Sequence, residues 1–418
     1  MAATGLTSAC VSILVGQCGV QLGDECLGEL HKYYQDNHLP GKLTFFDENN
    51  SARAILVDTE TKVVNGLLES QACKKRAWKY DPAMSVVEHG GAANNWAYGY
   101  KKKASQSVGP KVLECIRKNV EACDCLGGFQ IIGSAAGGTG SGVGSYLTEA
   151  LWDEYAATPS VHIIVLPFDT GEVAVQSLNA TLSLGHLVQN GGGGTIIARN
   201  DVAAEACRRR LDITYPTLGD LNGVIARNVV SMLVGANGRF FQEVVPQLWN
   251  LPNSYPFAQV KSVPQTSFAA VDFTNDSWYA LEKELSRGTV ESFSASLFLH
   301  GERQTEGTKT GTFFTDKMPA WAKISPKYCA SETSLQLYNP WRCYESAGRV
   351  RGYERAATLA TNSTSMIEPL SNILSKATDM LEVGAYVHQY EMHGVTVDDF
   401  KENVMRLDRI VAMYGGLK

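Results

Sequence analysis

The chain has 418 residues, 44% of them hydrophobic and 19% charged, and carries a net charge of −6. That balance belongs to a compact protein of two or three packed domains and excludes a disordered or coiled-coil chain. The charge weighs against nucleic acid and acidic membranes, no run approaches the roughly 20 apolar residues of a bilayer span, and ten scattered cysteines without CxxC pairs read as reduced thiols, not a zinc site.

The short apolar run Ala9 to Val15 has no basic residue before it, so it fails as a signal peptide and reads as a strand, VSILV over 11–15. Further β-branched runs follow at AILVD (54–58), FQIIG (129–133), VHIIVL (161–166) and TIIA (195–198), separated by helical patterns. This rhythm predicts a parallel α/β sheet. Ligands of such sheets sit beyond the carboxyl ends of the strands, so the loops GQCG, DTET and SAAGGTGSG should line one rim. The four glycines 191–194 read as a turn before the last of these strands.

Beyond residue 201 the pattern turns mixed, and YPFAQVKSVPQTSFAAV and SASLFLHG alternate well enough for strands of a second α/β layer. The C-terminal part is helical. One helix should carry Ile373, Ala377, Met380, Val387 and Tyr390 on one side and stop at Gly394. The next should begin at a capping box of Thr396 and Asp399 and carry Phe400, Val404, Leu407, Val411 and Tyr414. Two adjacent apolar stripes predict a layer that covers a sheet.

The stretch SAAGGTGSGVGSYL (134–147) decides the chemistry. It lacks the lysine of GxxxxGK[ST], because Val143 follows Gly142, and serine stands at the third glycine of GxGxxG. What it retains is physical. Small residues after FQIIG let backbone N–H groups converge, and a helix with the stripe Val143, Leu147, Ala150 and Tyr155 begins at once, its positive N-terminus toward an anion. Without a lysine, phosphate charge needs another counter-ion, and Asp58 and Glu60 at the end of AILVD are placed to hold a hydrated Mg²⁺. A glycine-rich linker is the competing reading.

AGGTGSG (136–142) resembles the tubulin signature GGGTGSG, and GQCGVQLG (16–23) resembles the GQCGNQIG with which tubulins begin. RAILVDTE (53–60), NNWAYGY (94–100), RRLDITYPTLGDLN (209–222) and AYVHQY (385–390) extend the likeness over nearly the whole chain. On these motifs the chain is identified as a member of the tubulin superfamily. NNWAYGY, TGEV (170–173) and AYVHQY followed by DDF are more similar to the delta class than to alpha, beta or gamma, with zeta or another minor class as the alternative. The resemblance implies a tubulin-like α/β fold: a parallel-sheet GTP-binding domain over 1–200, a mixed-sheet intermediate domain over 201–365 and two C-terminal helices within 366–418. It also implies GTP or GDP with Mg²⁺, other tubulins as longitudinal and lateral partners, and a cytoplasmic, cytoskeletal place in centrioles or basal bodies.

Carried over position by position, Gln17, Cys18 and Gln21 touch phosphate and base, with Gln17 near Mg²⁺, and Asp58 and Glu60 match the acidic pair at the γ-phosphate and Mg²⁺. Ala93, Asn94 and Asn95 match the next phosphate-contacting loop, with Asn94 the expected ligand. Ser134, Gly137, Gly138, Thr139 and Gly140 match the phosphate cradle, Glu172 an acidic ribose contact, and Asn200 and Asn222 the two asparagines that read guanine. A side-chain amide offers an acceptor and donors together, which suits guanine's N1 and N2 donors and O6 acceptor. Leu218 stands where a base-stacking tyrosine is expected, so an aliphatic contact replaces a stack worth roughly 1 kcal/mol.

In polymerising tubulins the next subunit presents an acidic residue, just upstream of a Val-Pro, that triggers hydrolysis. Here Val245 and Pro246 anchor that segment, GANGRFFQEVVPQ, and ungapped counting puts Arg239 at the acidic position, with Glu243 the nearest carboxylate. A guanidinium stays protonated and cannot act as a base. The resemblance therefore implies an assembly-dependent GTPase whose trigger this chain does not supply, an arginine finger being the other reading. The competing function classes are a dinucleotide-dependent oxidoreductase, opposed by the broken fingerprint, and a GTP-binding homologue that regulates centriole or cilium assembly without polymerising.

Overall fold

The computed structural model describes residues 8–38, 44–171, 173–191, 193–249, 255–266, 277–301, 319, 322 and 340–416. The first half contributes β1 (Ala9–Val15), β2 (Ala54–Asp58), β3 (Ser85–Val87), β4 (Leu126–Ser134), β5 (Ser160–Leu166) and β6 (Thr195–Arg199). The second contributes β7 (Phe257–Val263), β8 (Ser292–His300), β9 (Trp341–Ser346) and β10 (Ala356–Ser363). They join in the order β3-β2-β1-β4-β5-β6-β7-β10-β8-β9.

Every pairing from β3 across to β7 is parallel, whereas β10 runs antiparallel to both β7 and β8. The seam between the halves is narrow: Thr195 opposite Phe257 and Ile196 opposite Ala258. All five strands expected before residue 200 are present. β1, β2 and β5 are buried along their whole length, which is why they read as unbroken apolar runs in a sheet covered on both faces.

The α-helices of eight or more residues among those described are α1 (Gly16–Asp36), α2 (Thr61–Glu69), α3 (Gly109–Glu121), α4 (Gly144–Glu154), α5 (Gln176–Asn190), α6 (Asn200–Arg210), α7 (Leu218–Gly235), α8 (Trp278–Leu285), α9 (Ile367–Glu382) and α10 (Val397–Gly415). Alternation along β1 sorts the core. Cys10 and Leu14 face Leu22 and Leu27 of α1 and Val229 and Leu233 of α7, while Val11 and Ile13 face Val112 and Ile116 of α3 and Leu147 of α4. Beside them Ile164 and Leu166 pack with Leu184 of α5, Leu370 and Leu374 of α9, and Leu407, Ile410 and Tyr414 of α10.

One expectation is corrected here. The stripe from Ile373 to Tyr390 is not a single helix ending at Gly394: α9 stops at Glu382, and a separate short helix spans Val387–Glu391. Gly384 (φ 65°) and Tyr386 (φ 62°) adopt left-handed backbone that breaks the helix, so Tyr390 turns inward to Trp96, Leu178 and Phe400. The capping box of Thr396 and Asp399 is present at the head of α10. No helix among the described residues is long and apolar enough to cross a membrane.

Candidate functional site

Parallel strands deliver their carboxyl ends to one rim, and three adjacent ones, β2, β1 and β4, run there directly into polar or glycine-rich turns. β1 gives way to α1 at Gly16, whose φ of 71° is open to glycine, and a Cβ there would lie 2.9 Å from the backbone nitrogen of Gly140. The first loop and the glycine-rich turn therefore cross in close contact. After β4 the Ala136 N–H donates to Ser134 Oγ at 3.1 Å, the chain winds through one wide turn, Thr139–Val143, and α4 follows. A Cβ on Gly138 would collide with the Ala92 carbonyl, whereas one on Gly137 would meet nothing within 4 Å. Gly138 thus holds the 92–95 loop against the turn, and Gly137 faces open space.

The acidic side of the rim is built from β2. Asp58 is buried, and burial pushes its carboxyl up to about 6, against backbone N–H groups of Glu60 and Thr59 that favour the ionised form. Thr59, also buried, shares a hydrogen bond of 2.6 Å between its Oγ1 and that of Thr139, which ties the end of β2 to the glycine-rich turn. Glu60 is exposed, and a Cβ on Gly91 would stand 2.6 Å from its Oε1. Gln17 and Gln21 are exposed one turn apart at the start of α1; burial pushes the Cys18 thiol up to about 12, so it is a neutral contact and no nucleophile.

Asn200 opens α6 at the end of β6, and Leu218 and Asn222 lie in the first turns of α7, which packs along α1. Both asparagines are half-buried and Leu218 is exposed. Four strand spacings separate β2 from β6, about 19 Å of rim. Glu172 lies outside the described residues.

Across Gly16–Gln21, Asp58–Glu60, Gly90–Asn95 and Ser134–Gly140 there is no lysine or arginine. An anion held here would rest on backbone N–H groups, the start of α4 and a cation. Asp58 and Glu60 are the two carboxylates at this rim, the number that a hydrated Mg²⁺ takes from protein beside phosphate oxygens. Glycines packed against backbone, with one glycine facing open space, leave room for an anion on main-chain N–H groups.

Sequence reasoning missed two residues. Thr59 could have been taken from its place inside DTE. Asn179 of α5, buried beneath the cradle and bonded to Asn94 and Ala136, sits in a helix whose pattern gives it no distinction.

At the amino-terminal ends of the strands, opposite the rim, Arg239 is exposed and bonds Glu243 at 2.9 Å, while Arg342 lies 3.8 Å from the other carboxylate oxygen. Gln242 donates to Ser8 at 3.1 Å, just before β1 begins, so this segment and the cradle lie at opposite ends of the same strand.

Comparison with known proteins points to one family. Residues 9–208 match the model of the Tubulin/FtsZ family, GTPase domain. The chain is 29% identical to the tubulin delta chain of Canis lupus familiaris and 29% identical to that of Mus musculus, each over 97% of this chain and 99% of the relative. It is 27% identical to the tubulin beta chain of Coprinopsis cinerea, over 97% of this chain and 94% of the relative.

Proposed function

The chain belongs to the tubulin family, and from that premise we propose that it is a GTP-binding cytoskeletal chain making longitudinal contacts with other tubulins in centriole or basal-body microtubules. The observation that carries this reading is the crossing of the Gly16 turn and the glycine-rich turn beside the buried carboxyl of Asp58, without a lysine.

In this reading Ser134, Gly137, Gly138, Thr139 and Gly140 hold phosphate through backbone N–H groups and hydroxyls, and Gln17, Cys18, Gln21 and Asn94 close around it. Asn200 and Asn222 pair with the guanine edge, Leu218 covers the base and Glu172 meets the ribose. Asp58 and Glu60 would hold Mg²⁺, which neutralises phosphate charge when bound.

Hydrolysis is the point at which this chain departs from alpha-type neighbours. Arg239 takes the place of the triggering acid, and the nearest carboxylate, Glu243, is engaged by two guanidiniums. Neither group is a free base for water on an adjoining nucleotide. The chain, as the upper neighbour, does not trigger turnover. Electron microscopy and light scattering with and without GTP test the assembly part: GTP-dependent polymer, or decoration of microtubule ends, is expected. Soluble protein under every condition would favour a non-polymerising regulator.

A further inference from the structure

A polar hub beneath the cradle has no part in the reading above. Asn179, in the first turn of α5, is fully buried. Its Nδ2 donates to the carbonyls of Asn94 (2.8 Å) and Ala136 (2.7 Å), and its Oδ1 accepts the Trp96 backbone N–H (2.9 Å) and the Tyr390 hydroxyl (2.7 Å). A carboxamide has two N–H donors and two acceptor lone pairs, so every capacity is used. The partners also dictate which way the amide points, because a flip would face donors with donors.

Three of these partners lie in the glycine-rich turn and the 92–96 loop packed against it. Ala136 is in the glycine-rich turn, and Asn94 is the second of two successive left-handed residues, Ala93 (φ 50°) and Asn94 (φ 48°). That backbone is unfavourable for alanine and tolerated by asparagine, so fixed partners around Asn94 help to hold the loop's shape. The fourth partner, Tyr390, comes from the short helix between α9 and α10, and a second bond runs the same way, from Asn95 Nδ2 to the Gln389 carbonyl at 3.2 Å.

We propose that Asn179 is the positioning residue of the nucleotide site. Its single carboxamide sets the spacing between the 92–96 loop and the glycine-rich turn, and through Tyr390 it ties that spacing to the C-terminal helical layer. This rests on the nucleotide reading and adds which side chain sets the phosphate-binding geometry and which distant segment feels it. By linkage, nucleotide binding and docking of residues 387–391 stabilise each other.

The test uses the full chain, GTP as the probe, and the variants Asn179→Ala, Tyr390→Phe and their combination. Asn179→Ala should weaken GTP binding about tenfold and Tyr390→Phe, which loses one hydroxyl, about threefold. The double variant should bind no more weakly than Asn179→Ala, because both changes act through one contact. In wild type, GTP should slow amide hydrogen exchange over 387–391, and in Tyr390→Phe this slowing should shrink, a response that a merely structural asparagine does not produce. Wild-type affinity in Tyr390→Phe, additive losses, or exchange indifferent to GTP overturns the proposal. If Asn179→Ala does not fold, Tyr390→Phe and its exchange decide alone. A wild-type chain that binds no GTP refutes the nucleotide reading itself, and this proposal with it.

Discussion

Two adjacent glycines of the cradle have opposite jobs, and a single methyl group separates them. Gly138→Ala forces a Cβ into the Ala92 carbonyl and displaces the 92–95 loop, so both thermal stability and nucleotide affinity should fall. Gly137→Ala adds its methyl to open space at φ that alanine accepts, so stability should hold or rise by about 0.5 kcal/mol while nucleotide binding weakens. Equal melting temperatures for the two variants would contradict this division. His162 of β5 is buried beside the Thr148 hydroxyl (3.1 Å), and burial lowers its pKa to about 4. Its folded value lies below the ordinary 6.5, so the neutral ring stabilises the fold at pH 7 and that contribution is lost as pH falls from 6.5 toward 4. Denaturant unfolding at pH 7 and pH 5 should differ by about 2 kcal/mol from this group. His162→Gln should shrink the difference, and an unchanged difference would refute the assignment. At this scale the sequence was readable where a residue type had few structural uses: glycines in a run, or an acid at a strand end. Asn179 was not readable, since a buried asparagine in a helix is recognised only by the four partners that folding brings to it.

Elements position these residues, and α7 depends on its first turn. Thr217 accepts from the Asp220 N–H while the Asp220 carboxylate accepts from the Thr217 N–H at 2.8 Å, a capping box at the helix end that carries Leu218 and Asn222. Thr217→Ala should cost about 1 kcal/mol of stability. It should also weaken guanine-nucleotide binding as that turn frays; unaltered binding in a measurably destabilised variant would remove Leu218 and Asn222 from the site. The strands before residue 200 were legible because a sheet buried on both faces demands unbroken apolar runs. β3 escaped notice because three residues, Ser85–Val87, carry too little pattern. The C-terminal stripe misled for a different reason: helical spacing continued across Gly384 and Tyr386 although left-handed backbone breaks the helix there, and side-chain periodicity does not register such a break.

On the scale of the whole molecule, β1 separates the cradle from the Arg239 end by seven residues, about 23 Å. A head-to-tail stack would bring one copy's arginine end toward the next copy's nucleotide, the heterologous contact that builds open filaments. In an assembled state, Arg239→Ala should leave GTP turnover within twofold of wild type. A collapse of turnover would instead make Arg239 a contributor of positive charge to the neighbour's nucleotide. All of this depends on what the rim holds. The direct measurement is to purify the full chain without added nucleotide, release its bound small molecules by denaturation and identify them by chromatography. GTP or GDP in stoichiometric amount, without adenine nucleotides, is the expected result. An NAD-type dinucleotide, an adenine nucleotide, or no nucleotide together with no uptake of added GTP would contradict the account.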